Sequence, residues 1–175
     1  QPSVPLSIKD FYNSSSSNLL GTIKVIEFCR IHKIPFVYAS SSAVYGGLQV
    51  GDDTKNFIDI LSPYAADKFA MELYARMASK TYQLSSVGLR FFNVYGPRQD
   101  PSSPYSGVIS IFIDRILKSK SITINGGYQS RDFIYVDDVV DVISQAIDLA
   151  ITNTVCEVSN VLTGKTVTID YLADK

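Results

Sequence analysis

The chain has 175 residues, 46% of them hydrophobic and 19% charged, with a formal net charge of −1 at pH 7. That length supports one domain with a sizeable core rather than two full ones, and the composition excludes a disordered chain; no run approaches the roughly 18 apolar residues of a membrane span. A charge this close to zero gives no electrostatic ground for a nucleic-acid or anionic-membrane partner.

In chain order, the prolines, serines and asparagine of residues 1–17 read as a loop. A helix is expected from about Ser17 to Lys33 on the apolar spacing of Leu19, Leu20, Ile23, Ile26 and Cys29, with Pro35 ending it. Phe36 to Ser40 is a short apolar run, the pattern of a strand buried on both faces, and Ser40 to Gly47 is turn chemistry. Residues 47–62 form a loop. A helix follows from Pro63 to about Tyr82, with proline at its start, where a missing N–H does no harm.

Val87 to Tyr95 reads as one strand closed by Gly96-Pro97, and a polar loop from Gln99 to Gly107 leads into a helix beginning at Val108. Ile122 to Asn125 and Arg131 to Val136 read as strands, and Asp137 or Asp138 as the cap of the next helix. Val155 to Ser159 and Thr166 to Thr168 are further strands, and Ile169 to Asp174 starts a last helix. Strands separated by amphipathic helices define an α/β class with a parallel sheet, in which functional groups gather at the C-terminal ends of strands. Cys29 and Cys156 sit in apolar stretches and read as two separate buried thiols. His32 lacks ligand partners at metal spacing and reads as a surface residue, so no metal site is expected. No leader for secretion or organelle import is visible, which gives a cytoplasmic expectation.

Tyr64 and Lys68 stand four residues apart, on one face of their helix. An ammonium near a phenol favours the phenolate, and an opposite charge within about 4–6 Å moves a pKa by roughly 1–3 units, toward the range of a base working near neutrality. The serines at the end of the strand before it, Ser40, Ser41 and Ser42, and the strand ending Arg90-Phe91-Phe92-Asn93-Val94-Tyr95-Gly96 complete the constellation.

Set in order, these motifs resemble the extended short-chain dehydrogenases/reductases of the nucleotide-sugar epimerase/dehydratase group. The matching pieces are Gln1-Pro2-Ser3-Val4, Asn18 with Gly21-Thr22, Ser40 to Gly46, Tyr64 with Lys68, Leu89 to Gly96, Arg131-Asp132-Phe133 with Tyr135 to Asp138, and Asn160 to Gly164. The resemblance implies part of a Rossmann-like doubly wound parallel sheet plus part of a small substrate-binding region. Residues 1–95 and 128–150 would come from the NAD-binding domain, and 96–127 and 151–175 from the substrate-binding region. That family's Gly-rich turn for the NAD pyrophosphate has no counterpart here, so the chain reads as a fragment.

The resemblance further implies Tyr64 as base and Lys68 as its support and as a ribose ligand. Ser41 is the first choice, and Ser42 the second, for the hydroxyl that relays a proton. On the cofactor side it places Ser40, Tyr64, Lys68 and the backbone of Phe92. On the substrate side it places Asn93, Arg98, Val108, Thr123, Asn125 and Arg131, the last suited to a pyrophosphate by its forked guanidinium. For Ser40 a turn-capping hydroxyl is the preferred reading. Dehydratases and decarboxylases of this group carry an acidic residue before Val-Tyr-Gly; Ser42 and Ala43 stand there instead. C4 epimerisation of a UDP-sugar with NAD is therefore expected, with a dehydratase or decarboxylase, or an inactive fragment, as alternatives. The resemblance also implies a homodimer formed through a helix bundle. Leu162 departs from the family, which often has glycine in that position.

Overall fold

Ser3 begins a helix where a loop had been expected. Its Oγ accepts the Leu6 N–H at 3.1 Å, and Pro5 falls in the first turn, where no donor is needed. The result is α1, Val4–Lys9; Asp10 then caps α2, Phe11–Ser15, by accepting the Asn13 N–H at 3.3 Å. The chain continues through a π-helical turn, Ser16–Leu20, into α3, Gly21–His32. The serine run is thus helical, because capping hydroxyls and carboxylates hold the short helices that serine propensity alone disfavours. The structure, a computed structural model, describes residues 1–48, 51–54, 57–103, 105–124 and 126–175.

Lys33 closes α3 in the left-handed conformation, φ 54°. β1, Phe36–Ser41, follows. The long helix α4, Pro63–Tyr82, starts where expected: Ser62 Oγ accepts the Ala65 N–H at 3.1 Å and Pro63 takes the first position. The backbone N–H of Tyr64 is bound by Ser7 Oγ at 3.1 Å, which ties α1 to the start of α4.

The strand expected over Val87 to Tyr95 is two strands, β2, Ser86–Phe91, and β3, Asn93–Tyr95. They belong to different sheets. The break lies at Phe92, whose carbonyl accepts the Val94 N–H at 3.1 Å, a tight reversal that ends one pairing and begins another. β1 and β2 pair in parallel from Phe36↔Ser86 to Ser41↔Phe91, with β5, Cys156–Val161, beyond β2. β2 is buried from Ser86 to Arg90, whereas in β1 only Phe36 and Ser40 are buried. The expectation of full burial for β1 fails because β1 lies at the edge of its sheet among the described residues.

The second sheet has the order β3-β4-β6, with β4, Ser130–Tyr135, parallel to β3 and β6, Thr166–Thr168, antiparallel to β4. Its helices are α5, Val108–Leu117, and α7, Ile169–Ala173, the latter capped by Thr168. α6, Val136–Thr152, starts one residue ahead of the predicted cap; Asp137 and Asp138 occupy its first turn, where carboxylates complement the helix dipole. Residues 121–124 form no strand, and Asn125 lies outside the described residues.

The chain divides into two compact units, Gln1–Phe91 with Val142–Asn160, and Phe92–Asp141 with Val161–Lys175. In the first, Ile26 and Cys29 of α3 and Ala75 and Ala78 of α4 pack with Phe36 and Leu84, and Tyr38 lies against them. Each large apolar side chain buried this way contributes about 1.5–3 kcal/mol. Tyr38 stands directly opposite Gly88 in the register. A Cβ at Gly88 would come within 2.5 Å of the tip of the Tyr38 ring, so a larger residue there requires that ring to move aside. The second unit buries Phe112, Ile134, Val139 and Val161, with the rings of Tyr95 and Tyr135 edge-on at 5.6 Å. Cys29 is buried, but Cys156 is exposed at the start of β5, contrary to its expected burial. His32 is exposed, its ring 4.3 Å from that of Phe28.

Candidate active site

Three side chains from the sequence converge at the C-terminal end of β1. Tyr64, in the first turn of α4, is 8% exposed, and the Ser41 side chain acts on its phenol against the effect of burial. Lys68, one helical turn on, places Nζ 5.6 Å from the centre of the Tyr64 ring and donates to the Ala39 carbonyl at 2.7 Å. Ser41 also caps the 3₁₀ turn Ser42–Tyr45 by accepting the Ala43 N–H at 3.1 Å. Ser42 therefore opens the next turn, while it is Ser41 that acts on the phenol.

The electrostatics differ from the expectation. Burial pushes the Tyr64 phenol above its ordinary value, and the Ser41 side chain offsets part of that rise. Burial also lowers the Lys68 ammonium, opposed by the charge of Asp67.

Ser40 plays neither expected part. It is 2% exposed and its hydroxyl donates to Glu72 Oε1 at 2.5 Å, so it is not free for a cofactor or a turn. That bond leads to two functional candidates the sequence reading passed over. Glu72 and Arg90 form a buried ion pair, Nη2 to Oε2 at 2.6 Å, behind the strand end. Two signals were visible: Glu72 continues the Tyr64–Lys68 face at the next i+4 position, and Arg90 interrupts an apolar strand.

In the second unit, Asn93 begins β3 and its Nδ2 donates to the Asp132 carbonyl at 3.0 Å. Arg131 is exposed on β4, with Nη1 on the Ser130 carbonyl at 2.8 Å. Asn93 faces Phe133 in the register, which brings Asn93 and Arg131 onto adjacent strands two positions apart. Asp132 is 4% exposed and accepts the Thr163 N–H and hydroxyl at 2.9 and 3.0 Å. Arg98 is exposed at φ 70°, Thr123 is exposed without regular structure, and Val108 is the first residue of α5. No bond among the described residues links Arg98 or Thr123 to Asn93 or Arg131. The Phe92 N–H is bound by the Val161 carbonyl at 3.2 Å, a purely backbone tie. Leu162 follows β5 without a left-handed backbone, so glycine is not required there.

A concavity of about 430 Å³ runs along β1, lined by Asn18, Gly21, Thr22, Val37, Ala39 and Lys68 among others. An ammonium has three donors, and Lys68 uses one on Ala39. The remaining donors, beside the Tyr64 hydroxyl, suit the paired hydroxyls of a ribose, so the residues present fit a nicotinamide nucleotide. Among the described residues no cluster of His, Cys, Asp or Glu could hold a metal ion, and no helix is long and apolar enough to cross a membrane.

A parallel sheet with serine at a strand end and a Tyr and Lys one turn apart on the next helix defines the short-chain dehydrogenase/reductase class. Within that class, residues 1–160 match the model of the NAD dependent epimerase/dehydratase family, and the chain belongs to that family. It is 36% identical over 150 residues to the UDP-glucose 4-epimerase of Mycolicibacterium smegmatis, covering 83% of this chain and 48% of that protein. A UDP-N-acetylglucosamine 4-epimerase from Methanobrevibacter ruminantium, solved with UDP-N-acetylmuramic acid, superposes with a TM-score of 0.87 at 38% identity, over 98% of this chain and 55% of that one. The UDP-glucose 4-epimerase of Thermus thermophilus, solved with NAD, gives 0.86 at 34% identity over 99% and 57%. The chain thus spans about half the length of the relatives it matches.

Proposed function

We propose that the protein to which this chain belongs epimerises C4 of a UDP-sugar through a transient 4-keto sugar. The observation that carries the reading is Lys68 Nζ standing 5.6 Å from the centre of the buried Tyr64 ring, one helical turn on, at the strand end that carries Ser41. In this reading Tyr64 takes the proton of the C4 hydroxyl and, after the keto-sugar turns over to offer its other face to the returning hydride, gives it back to the C4 oxygen. Ser41 holds that hydroxyl and relays its proton, and Lys68 stabilises the phenolate and binds the ribose of the cofactor. NAD, when bound, accepts and returns the hydride of C4. Asn93 and Arg131 address the diphosphate, the latter by a charge-assisted fork.

Epimerisation is preferred over dehydration because Ser42 and Ala43 occupy the positions where an acid and base for water elimination are carried. A homodimer in the cytoplasm is part of the same proposal. It is supported by the exposed apolar residues Val25, Phe28 and Ile31 on α3 and Leu73, Tyr74 and Met77 on α4. The full-length protein is expected to interconvert UDP-glucose or UDP-N-acetylglucosamine with its 4-epimer, and Tyr64→Phe to lower kcat by about 10²–10⁴-fold. Turnover by that variant at the native rate would sink the assignment.

A further inference from the structure

Glu72 and Arg90 are 2% and 6% exposed and are joined by two hydrogen bonds, Nε to Oε1 at 2.8 Å and Nη2 to Oε2 at 2.6 Å. For folding alone such a pair is a poor investment, since well-packed apolar residues of similar volume often serve as well or better. What sets this pair apart is what else it grips. Glu72 Oε1 also accepts the hydroxyl of Ser40, the residue immediately before Ser41. Arg90 Nη1 donates to the Tyr45 hydroxyl at 2.7 Å, with the guanidinium 5.0 Å from that ring's centre.

From there the chain of bonds runs on to a loop. The Tyr45 hydroxyl donates to Asn160 Oδ1 at 2.8 Å, and Asn160 Nδ2 donates to the Gly51 carbonyl at 3.0 Å. The Asn160 N–H is held by Asp53 Oδ2 at 2.5 Å. One buried ion pair therefore fixes both the strand end that carries Ser41 and the segment of residues 51–53 beyond it.

We propose that Glu72 and Arg90 are positioning residues: through Ser40 they clamp the end of β1 so that Ser41 stays against Tyr64, and through Tyr45 and Asn160 they hold residues 51–53 in place. This rests on the epimerase reading of the same site. Reacting groups tolerate little drift, since a displacement of about 1 Å can cost about 10²-fold in rate. A loosened Ser40 frees the residue that acts on the base, while groups that bind the sugar nucleotide elsewhere are untouched. The loss falls on kcat and spares KM.

The test uses the full-length protein with Ser40→Ala and with the double replacement Glu72→Met and Arg90→Met. The double variant is expected to keep or raise the native Tm, to lose about 10- to 100-fold in kcat, and to hold KM within about twofold. Ser40→Ala, which removes one hydrogen bond, is expected to lose roughly 3- to 10-fold in kcat. In the double variant the Ala43 and Asn160 amides, held by Ser41 and Asp53, are expected to exchange with solvent about tenfold faster or more. A stable double variant with native kcat and native exchange overturns the proposal and leaves the pair a packing feature, as does a loss confined to KM. If the double variant does not fold, Ser40→Ala decides: native kcat and native exchange at Ala43 overturn the clamp. If the unmutated protein turns over no UDP-sugar, the epimerase reading fails by itself, and amide exchange still decides the clamp.

Discussion

The two units carry their candidate functional groups in opposite ways. In the first, Ser40, Tyr64, Glu72 and Arg90 are all under one-tenth exposed, and the side chains of Ser40, Glu72 and Arg90 bond to one another across β1, β2 and α4. In the second, Arg131 lies open to solvent with, among the described residues, only the neighbouring Ser130 carbonyl as hydrogen-bond partner, and Arg98 is exposed as well. Groups that move a proton need a fixed geometry and a low dielectric, so they are built in. Groups that meet a charged phosphate work from the surface, where a desolvated cation would be costly to keep without its ligand. The contrast makes the first unit sensitive in stability and rate, and the second sensitive in binding.

The largest expected effect tests the first half of that contrast. Arg90→Leu leaves the Glu72 carboxylate buried and unpaired and is expected to cost about 3–5 kcal/mol, read as a shift in urea midpoint. Arg131→Ala comes next: stability within about 0.5 kcal/mol of native, but KM for the UDP-sugar raised about tenfold or more through the lost charged contact. A stability loss at Arg131 as large as at Arg90 breaks the comparison.

Ser41→Ala sharpens it. The Ser41 side chain holds the Tyr64 phenol down against burial, while Lys68 and Asp67 are the ionisable groups carried alongside on α4. Without that contribution the phenol rises, so the acid limb of the kcat profile is expected to move to higher pH. An unmoved limb means that Ser41 does not tune the base. The smallest effect belongs to Tyr38, whose phenol is pushed well above its ordinary value, chiefly by burial. A raised folded-state value stabilises the fold fully below about pH 10, where unfolded tyrosines begin to ionise, and that stability is lost as the pH climbs further. Tyr38→Phe is expected to flatten the fall of the urea midpoint above about pH 10.

Sequence patterns exposed the frame better than its joints. The start of α4 was legible because Ser62 and Pro63 are local signals, and the Ser41–Tyr64–Lys68 set was legible from residue order. The helices of the first 17 residues were not, because their caps, Ser3 and Asp10, look the same in a loop. The break at Phe92 was hidden because one residue's backbone bonding, not its side chain, moves the chain between sheets. Glu72 shares the Tyr64–Lys68 face but was passed over, because its place there says nothing of its partner. Its burial depends on Arg90, 18 positions away, and pairing at that distance leaves no periodic trace.

The contact between Tyr38 and Gly88 also constrains how this sequence can diverge. Any side chain at Gly88 meets the tip of the Tyr38 ring, so its replacement requires that ring to move aside while the tyrosine stands. Once Tyr38 has become a smaller residue such as leucine, alanine at Gly88 can fill the vacated space. The two positions are therefore coupled: the cost of alanine at Gly88 depends on whether Tyr38 stands opposite it.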